Sequence, residues 1–225
     1  MIFDPMYLVF IIPPLLLSLW ATFRVKSNFN KYSRVRSARG MTGAQVAEQM
    51  LRQAGIQDVQ VTRARGFLSD HYNPSNKTLA LSQGVYDSTS VAAVSVAAHE
   101  AGHALQHDKG YAPLHLRTAL VPTASIGSSL GYGIMFFGWL FSAAGLIYLG
   151  ALLFSAVLLF QVVTLPVEFD ASSRAKQILF NSGLIMEQER RGVSKVLNAA
   201  ALTYVAAVVS SLMTLLYFLM AAGRD

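Results

Sequence analysis

The sequence predicts a mainly α-helical membrane protein with about four transmembrane helices and a small α+β region on the cytoplasmic face. Three observations carry that expectation. Hydrophobic residues make up 53% of the 225 and charged residues 13%, about half the charge of an ordinary soluble domain. The apolar residues fall in long uncharged runs. The basic residues are shared very unequally among the segments between those runs. There is no cysteine, which removes disulfides and thiolate-bound metal. A transition-metal site in this chain must use histidine, carboxylate and water.

Taken in order, residues 5–23, "PMYLVFIIPPLLLSLWATF", carry no charge and have the length of a bilayer-spanning helix. Pro13-Pro14 would break a soluble helix and is better tolerated in a span. No basic leader or small-residue cleavage site accompanies the run, so it reads as an anchor. Residues 24–117 form the first polar segment. Within it "TGAQVAEQMLRQAG" reads as a helix, with Thr42 as cap and a glycine at its end. "DVQVTRARGFLSDHYNPSNKTLALS" reads as two short β runs around an Asn-Pro-Ser-Asn turn. "SVAAVSVAAHEAGHALQHD" reads as an alanine-rich helix capped by Ser88 or Ser90.

Residues 118–167 are uncharged and fill two spans, expected to turn near "FFGWL", residues 136–140, as a helical hairpin. Residues 168–195 are polar again, and 196–223 give the fourth span. Twelve of the 18 Lys and Arg residues lie in 24–117, five in 168–195, and one, Arg224, beyond the last span. The positive-inside rule places both polar segments in the cytoplasm and both termini outside. The net charge of +6 and the cluster "RVKSNFNKYSRVRSARG" could suggest nucleic acid. A juxtamembrane position explains the cluster without that partner, and none is expected.

The stretch "SVAAHEAGHALQHDKGY" carries the chemistry. His99 and His103 lie one helical turn apart and project from one face, so both imidazoles can reach one zinc ion. Glu100, one step round the helix, is placed to act on a water as general base. Gly102 allows another backbone close approach. A third protein ligand is required, with water in the fourth position. His107 is about 12 Å from His99 along an unbroken helix, too far to share one ion, and no helix breaker precedes Gly110. His115 is a weaker alternative and His71 reads as a surface residue.

Glu168, in "LPVEFDASSRAKQ", is the better candidate. It is the first charge after the hairpin, which returns it to the face where the histidine helix lies. The small residues Ala171 and Ser172 suit a helix packed closely against another. Asp170 lies about 200° round the helix from Glu168 and should not bind the same ion.

The segments "HEAGHALQ" and "LPVEFDAS" resemble those of the YugP-type neutral zinc metallopeptidase family of bacteria, and the resemblance covers nearly the whole chain. More distantly the chain is similar to the HtpX and CAAX-prenyl-protease group. The resemblance implies a membrane gluzincin with a zincin-like catalytic region, zinc as cofactor, and polypeptide substrates in a bacterial cytoplasmic membrane. In the wider group an acid follows the glutamate ligand by four positions. Here that place is Ser172.

The expected function is therefore peptide-bond hydrolysis near the cytoplasmic face, in turnover or processing of membrane proteins, with zinc on His99, His103 and Glu168. His115, Tyr111 and Arg174 are candidate oxyanion stabilisers, and "TLALS", residues 78–82, is either an edge strand for an extended substrate or a structural strand. The rival readings are an intramembrane site-2-type protease and a membrane scaffold with a structural metal.

Overall fold

The structure, a computed structural model, describes residues 5–66 and 69–223. Arg224, the one basic residue beyond the last span, lies outside these residues, as do Phe67 and Leu68 of the β-like stretch. The elements are α1 (Pro5–Ser33), α2 (Gly43–Gln53), β1 (Gln60–Ala64), β2 (His71–Asn73), β3 (Thr78–Ser82), α3 (Gln83–Tyr86), α4 (Val91–Asp108), α5 (Ala112–Ile126), α6 (Tyr132–Leu140), α7 (Ala144–Asn181) and α8 (Arg190–Ala222). A π-helical turn, Gly127–Gly131, joins α5 to α6. Among the described residues, four helical stretches are long and apolar enough to cross a membrane: Met6–Ser33, Ala112–Leu140, Ala144–Asn181 and Glu187–Ala222. Among the described residues the protein is thus mainly α-helical, with four candidate membrane helices and one small sheet.

The chain divides into two compact units. One comprises the chain up to Thr22, His115–Pro166 and the chain from Leu202. Its outer surface is apolar, with Leu16, Leu19, Leu152 and Leu159 among its exposed side chains, as a surface solvated by lipid requires. Lipid tails are as apolar as leucine, so its helices must associate through close packing. Glycines provide that. A Cβ on Gly150 would meet Met135 N at 2.5 Å, and one on Gly131 would meet Phe154 N at 2.8 Å.

The hairpin turns at 141–143, past the expected 136–140. The glycine in "FFGWL" is spent on packing, since a Cβ on Gly138 would lie 2.7 Å from Ile147 N. The reversal is made by Ser142, at φ 51°, and the helix end is closed by Ala143 N–H donating to Gly138 O at 2.8 Å.

The other unit comprises Phe23–Leu114 and Val167–Ala201. α2 starts in a reciprocal capping box: Thr42 Oγ1 accepts from Gln45 N, and the Gln45 side chain accepts from Thr42 N. It ends at Gly55, φ 77°, with Ile56 N–H donating to Leu51 O at 2.9 Å, the hydrogen bond of a Schellman motif. α4 is capped by Ser90, whose Oγ accepts from Ala93 N at 3.2 Å. Its alanines let neighbours close in, and it is buried from Val91 to Gln106 on nearly every side. The core joins Val46, Met50 and Leu51 of α2, Leu79 and Leu81 of β3, the alanines of α4, and Ala175 and Leu179 of α7.

The β-like stretch yields three strands where two runs were expected, in the order β1-β3-β2. β1 pairs parallel with β3 and β2 pairs antiparallel with it. Of the two readings of 78–82, the edge strand is overturned and the structural strand holds. β3 is the middle strand, its two edges are taken by β1 and β2, and it has no edge to offer a substrate. The cause is nonlocal, because β1 reaches β3 past β2 and turn patterns report only sequential neighbours.

Candidate metal centre

The site is built where α4 crosses α7. Residues 99, 102, 103 and 106 follow the i, i+3, i+4, i+7 spacing and form one stripe on α4. Residues 167, 168, 171 and 172 form the facing stripe on α7. The helices meet at Gly102, where a Cβ would lie 2.5 Å from Ala171 O. Ala171 is itself fully buried. α7 continues through Glu168 to Asn181, so this carboxylate sits on a rigid helix.

His99, His103 and Glu168 each offer a ligand atom, and these atoms lie within 4.8 Å of one another. Glu168 Oε2 is 3.1 Å from His99 Nε2 and 3.7 Å from His103 Nε2. For a tetrahedral ion with bonds of about 2.0–2.1 Å, neighbouring ligand atoms stand about 3.3 Å apart. The two observed separations bracket that distance. Two imidazole nitrogens and one carboxylate oxygen are also a zinc-type donor set. These residues therefore fit a zinc ion. Among the described residues they are the only such group.

The histidines are held from behind. His99 Nδ1 lies 3.1 Å from Ser172 Oγ, and His103 Nδ1 lies 3.0 Å from Gln106 Oε1. Burial by itself would lower the His103 pKa. The hydrogen bond to Glu168 and the charges of Glu100 and Glu168 outweigh it, and the imidazole is shifted above its ordinary value. Glu100, next to His99 on α4, is 8% exposed, and its charge acts on His103.

The remaining candidates fall outside the cluster. α4 runs unbroken to Asp108, which carries His107 away from it. His107 Nδ1 pairs with Tyr72 Oη at 2.8 Å, and burial pushes the Tyr72 phenol up to about 12. His71 is exposed on β2, with Nδ1 2.8 Å from Ser69 O. His115 is exposed on α5 and belongs to the apolar unit. Arg174 is committed to Asp170, with Nε 2.6 Å from Oδ2, and its guanidinium lies over the Tyr111 ring at 5.7 Å. Asp170 stands apart from the three ligand atoms and accepts from Gln106 Nε2 at 2.8 Å.

Gln106 is the residue that the sequence pattern did not bring forward. It is fully buried and touches both helices. Its signals are its place at the end of the "HEAGHALQ" segment and its position three residues after His103, on the same helical face.

Long apolar helices and a His, His, Glu cluster on two crossed helices define the class: an integral membrane protein with a candidate metal centre. Residues 7–223 match the family described as "Putative neutral zinc metallopeptidase", and the chain belongs to this family. It is 50% identical over 211 residues to a Bacillus subtilis (strain 168) protein described as "Putative membrane protease YugP", a match covering 93% of this chain and 94% of that one. No solved structure matches the chain.

Proposed function

We propose that this protein is an integral-membrane zinc endopeptidase cutting polypeptides close to the cytoplasmic face of a bacterial membrane. The observation that carries the reading is the convergence of His99, His103 and Glu168 beside the buried carboxylate of Glu100. A zinc ion bound there would polarise the scissile carbonyl and bring the pKa of a water close to neutrality. Glu100 takes the proton of the attacking water and returns it to the departing amine. Glu168 supplies negative charge to the cation, and Ser172 and Gln106 keep the two imidazoles aimed.

The orientation rests on the seventeen basic residues of 24–117 and 168–195 against Arg224 alone, with both termini outside. Glu168 directly follows the uncharged run 118–167, so juxtamembrane segments and loops of membrane proteins are the substrates that suit the site. Turnover or processing of such proteins is the corresponding role. All four site residues belong to the sheet-containing unit, which favours cleavage outside the hydrocarbon over cleavage at mid-bilayer. The cluster has three protein members among the described residues. That leaves a position for water and favours a catalytic over a closed structural site.

The test is the Glu100→Gln variant of the purified full chain, assayed for zinc content and for cleavage of a membrane-protein substrate. Zinc should remain and cleavage should fall by about 10²–10⁴-fold. Undiminished cleavage would remove Glu100 from the mechanism.

A further inference from the structure

We propose that Gln106 is the positioning residue of the site: wedged between the two helices, it fixes His103 with its proton on Nδ1 and its lone pair on Nε2. The inference rests on the metal-site reading above and extends it to a residue that does not touch the ion.

The direction of the Gln106 amide is forced by its neighbours. Its Nε2 lies 2.8 Å from Val167 O and 2.8 Å from Asp170 Oδ2. A backbone carbonyl and a carboxylate both accept only, so the NH₂ group must face them. Both amide hydrogens are then used. The oxygen is left for His103 Nδ1, 3.0 Å away. An amide oxygen cannot donate, so Nδ1 must carry the hydrogen. In a neutral imidazole the lone pair is then on Nε2, the nitrogen that faces Glu168.

Asp170 holds its own place by accepting from Arg174 Nε at 2.6 Å. His103 thus donates to Gln106 and Gln106 to Asp170, whose carboxylate accepts from Gln106 on one side and Arg174 on the other. Gln106 and His103 share α4, whereas Val167, Asp170 and Arg174 share α7. The same amide that sets the tautomer therefore ties the ligand helices together. Full burial of Gln106 keeps water from replacing any of the three bonds, and an unmade bond there would be expensive.

Two measurements on the full-length protein in detergent test this. The ¹⁵N spectrum of the zinc-loaded, histidine-labelled wild type should show His103 protonated at Nδ1 and metal-bound at Nε2. A bare Nδ1 would overturn the proposal without any variant having to fold. Gln106→Met keeps the volume and removes all three hydrogen bonds. Its zinc affinity, from competition with a chelator, should fall about 10–100-fold, and the His103 signals should no longer report a single tautomer. Unchanged affinity with the tautomer retained would overturn the proposal. His103→Ala separates the two ideas. If it loses zinc while Gln106→Met does not, the ligand reading stands and the positioning role fails. If it keeps zinc, the ligand reading itself fails, and the positioning role with it.

Discussion

At the scale of single residues, the centre depends on which histidine nitrogens converge. His99 and His103 point their Nε2 atoms at one oxygen of Glu168, while His107 leans on Tyr72. His99→Ala and His103→Ala should each abolish zinc binding. Glu168→Ala should weaken it markedly, because the two imidazoles remain but the charge is gone. His107→Ala should keep full zinc content. Metal analysis of the purified variants decides this, and a zinc-free His107→Ala protein with a zinc-replete Glu168→Ala protein would reverse the ligand assignment. The histidine spacing could be read directly, since i and i+4 share a face on any helix. Gln106 lay just as close along the chain, yet its role was not legible. A glutamine becomes informative only when its acceptors are known, and Val167 and Asp170 are more than sixty residues away.

At the scale of elements, the site is a helix crossing held tight by Gly102 and Ala171. In Gly102→Ala the new methyl would sit 2.5 Å from Ala171 O, a backbone atom that can yield only if α7 shifts. Overpacking of this kind costs about 1–3 kcal/mol. Here it should act first on function, because the shift separates the two histidines from Glu168. Zinc affinity should fall by at least about tenfold, the equivalent of 1.4 kcal/mol. Gly84→Ala is the control, since nothing lies within 4 Å of the added methyl. Equal zinc affinities for the two variants would show that the close crossing is not what holds the ligands together. The cap of α4 gives an independent check. Ser90→Ala should lower thermal stability by about 1 kcal/mol while leaving the metal bound.

At the scale of the whole molecule, the absence of cysteine makes topology simple to test. A single cysteine introduced at Ser75, an exposed position on the β2–β3 turn, should resist a membrane-impermeant thiol reagent in intact cells and react once the membrane is opened. Labelling from outside would invert the proposed orientation. A bound ion would also link α4 to α7, two segments far apart in the chain. Removing zinc with a chelator should therefore lower the unfolding temperature, and the loss should grow with the zinc concentration of the reference sample. An unchanged unfolding temperature would mean that the ion does not bridge the two helices.

The sequence by itself determined the features set by local geometry. Uncharged runs of span length gave four membrane helices, because length and apolarity are all a bilayer demands of a helix. Thr42 and Gly55 marked the ends of α2, because caps act within one turn. The pairing of His99 with His103 followed from helical period. Glu168 was reachable through connectivity, since a hairpin must bring the chain back to the side it left. Only the tertiary structure decided what depends on contacts between distant segments. The place of β3 in the middle of the sheet required β1 to reach past β2, which turn patterns do not encode. The hairpin turn moved to Ser142 because Gly138 was needed against Ile147. Asp170 and Ser172 stand two residues apart on α7, yet one orients Gln106 and the other meets His99. Their roles come from the crossing of α4 and α7, and that crossing is set by the fit of Gly102 against Ala171.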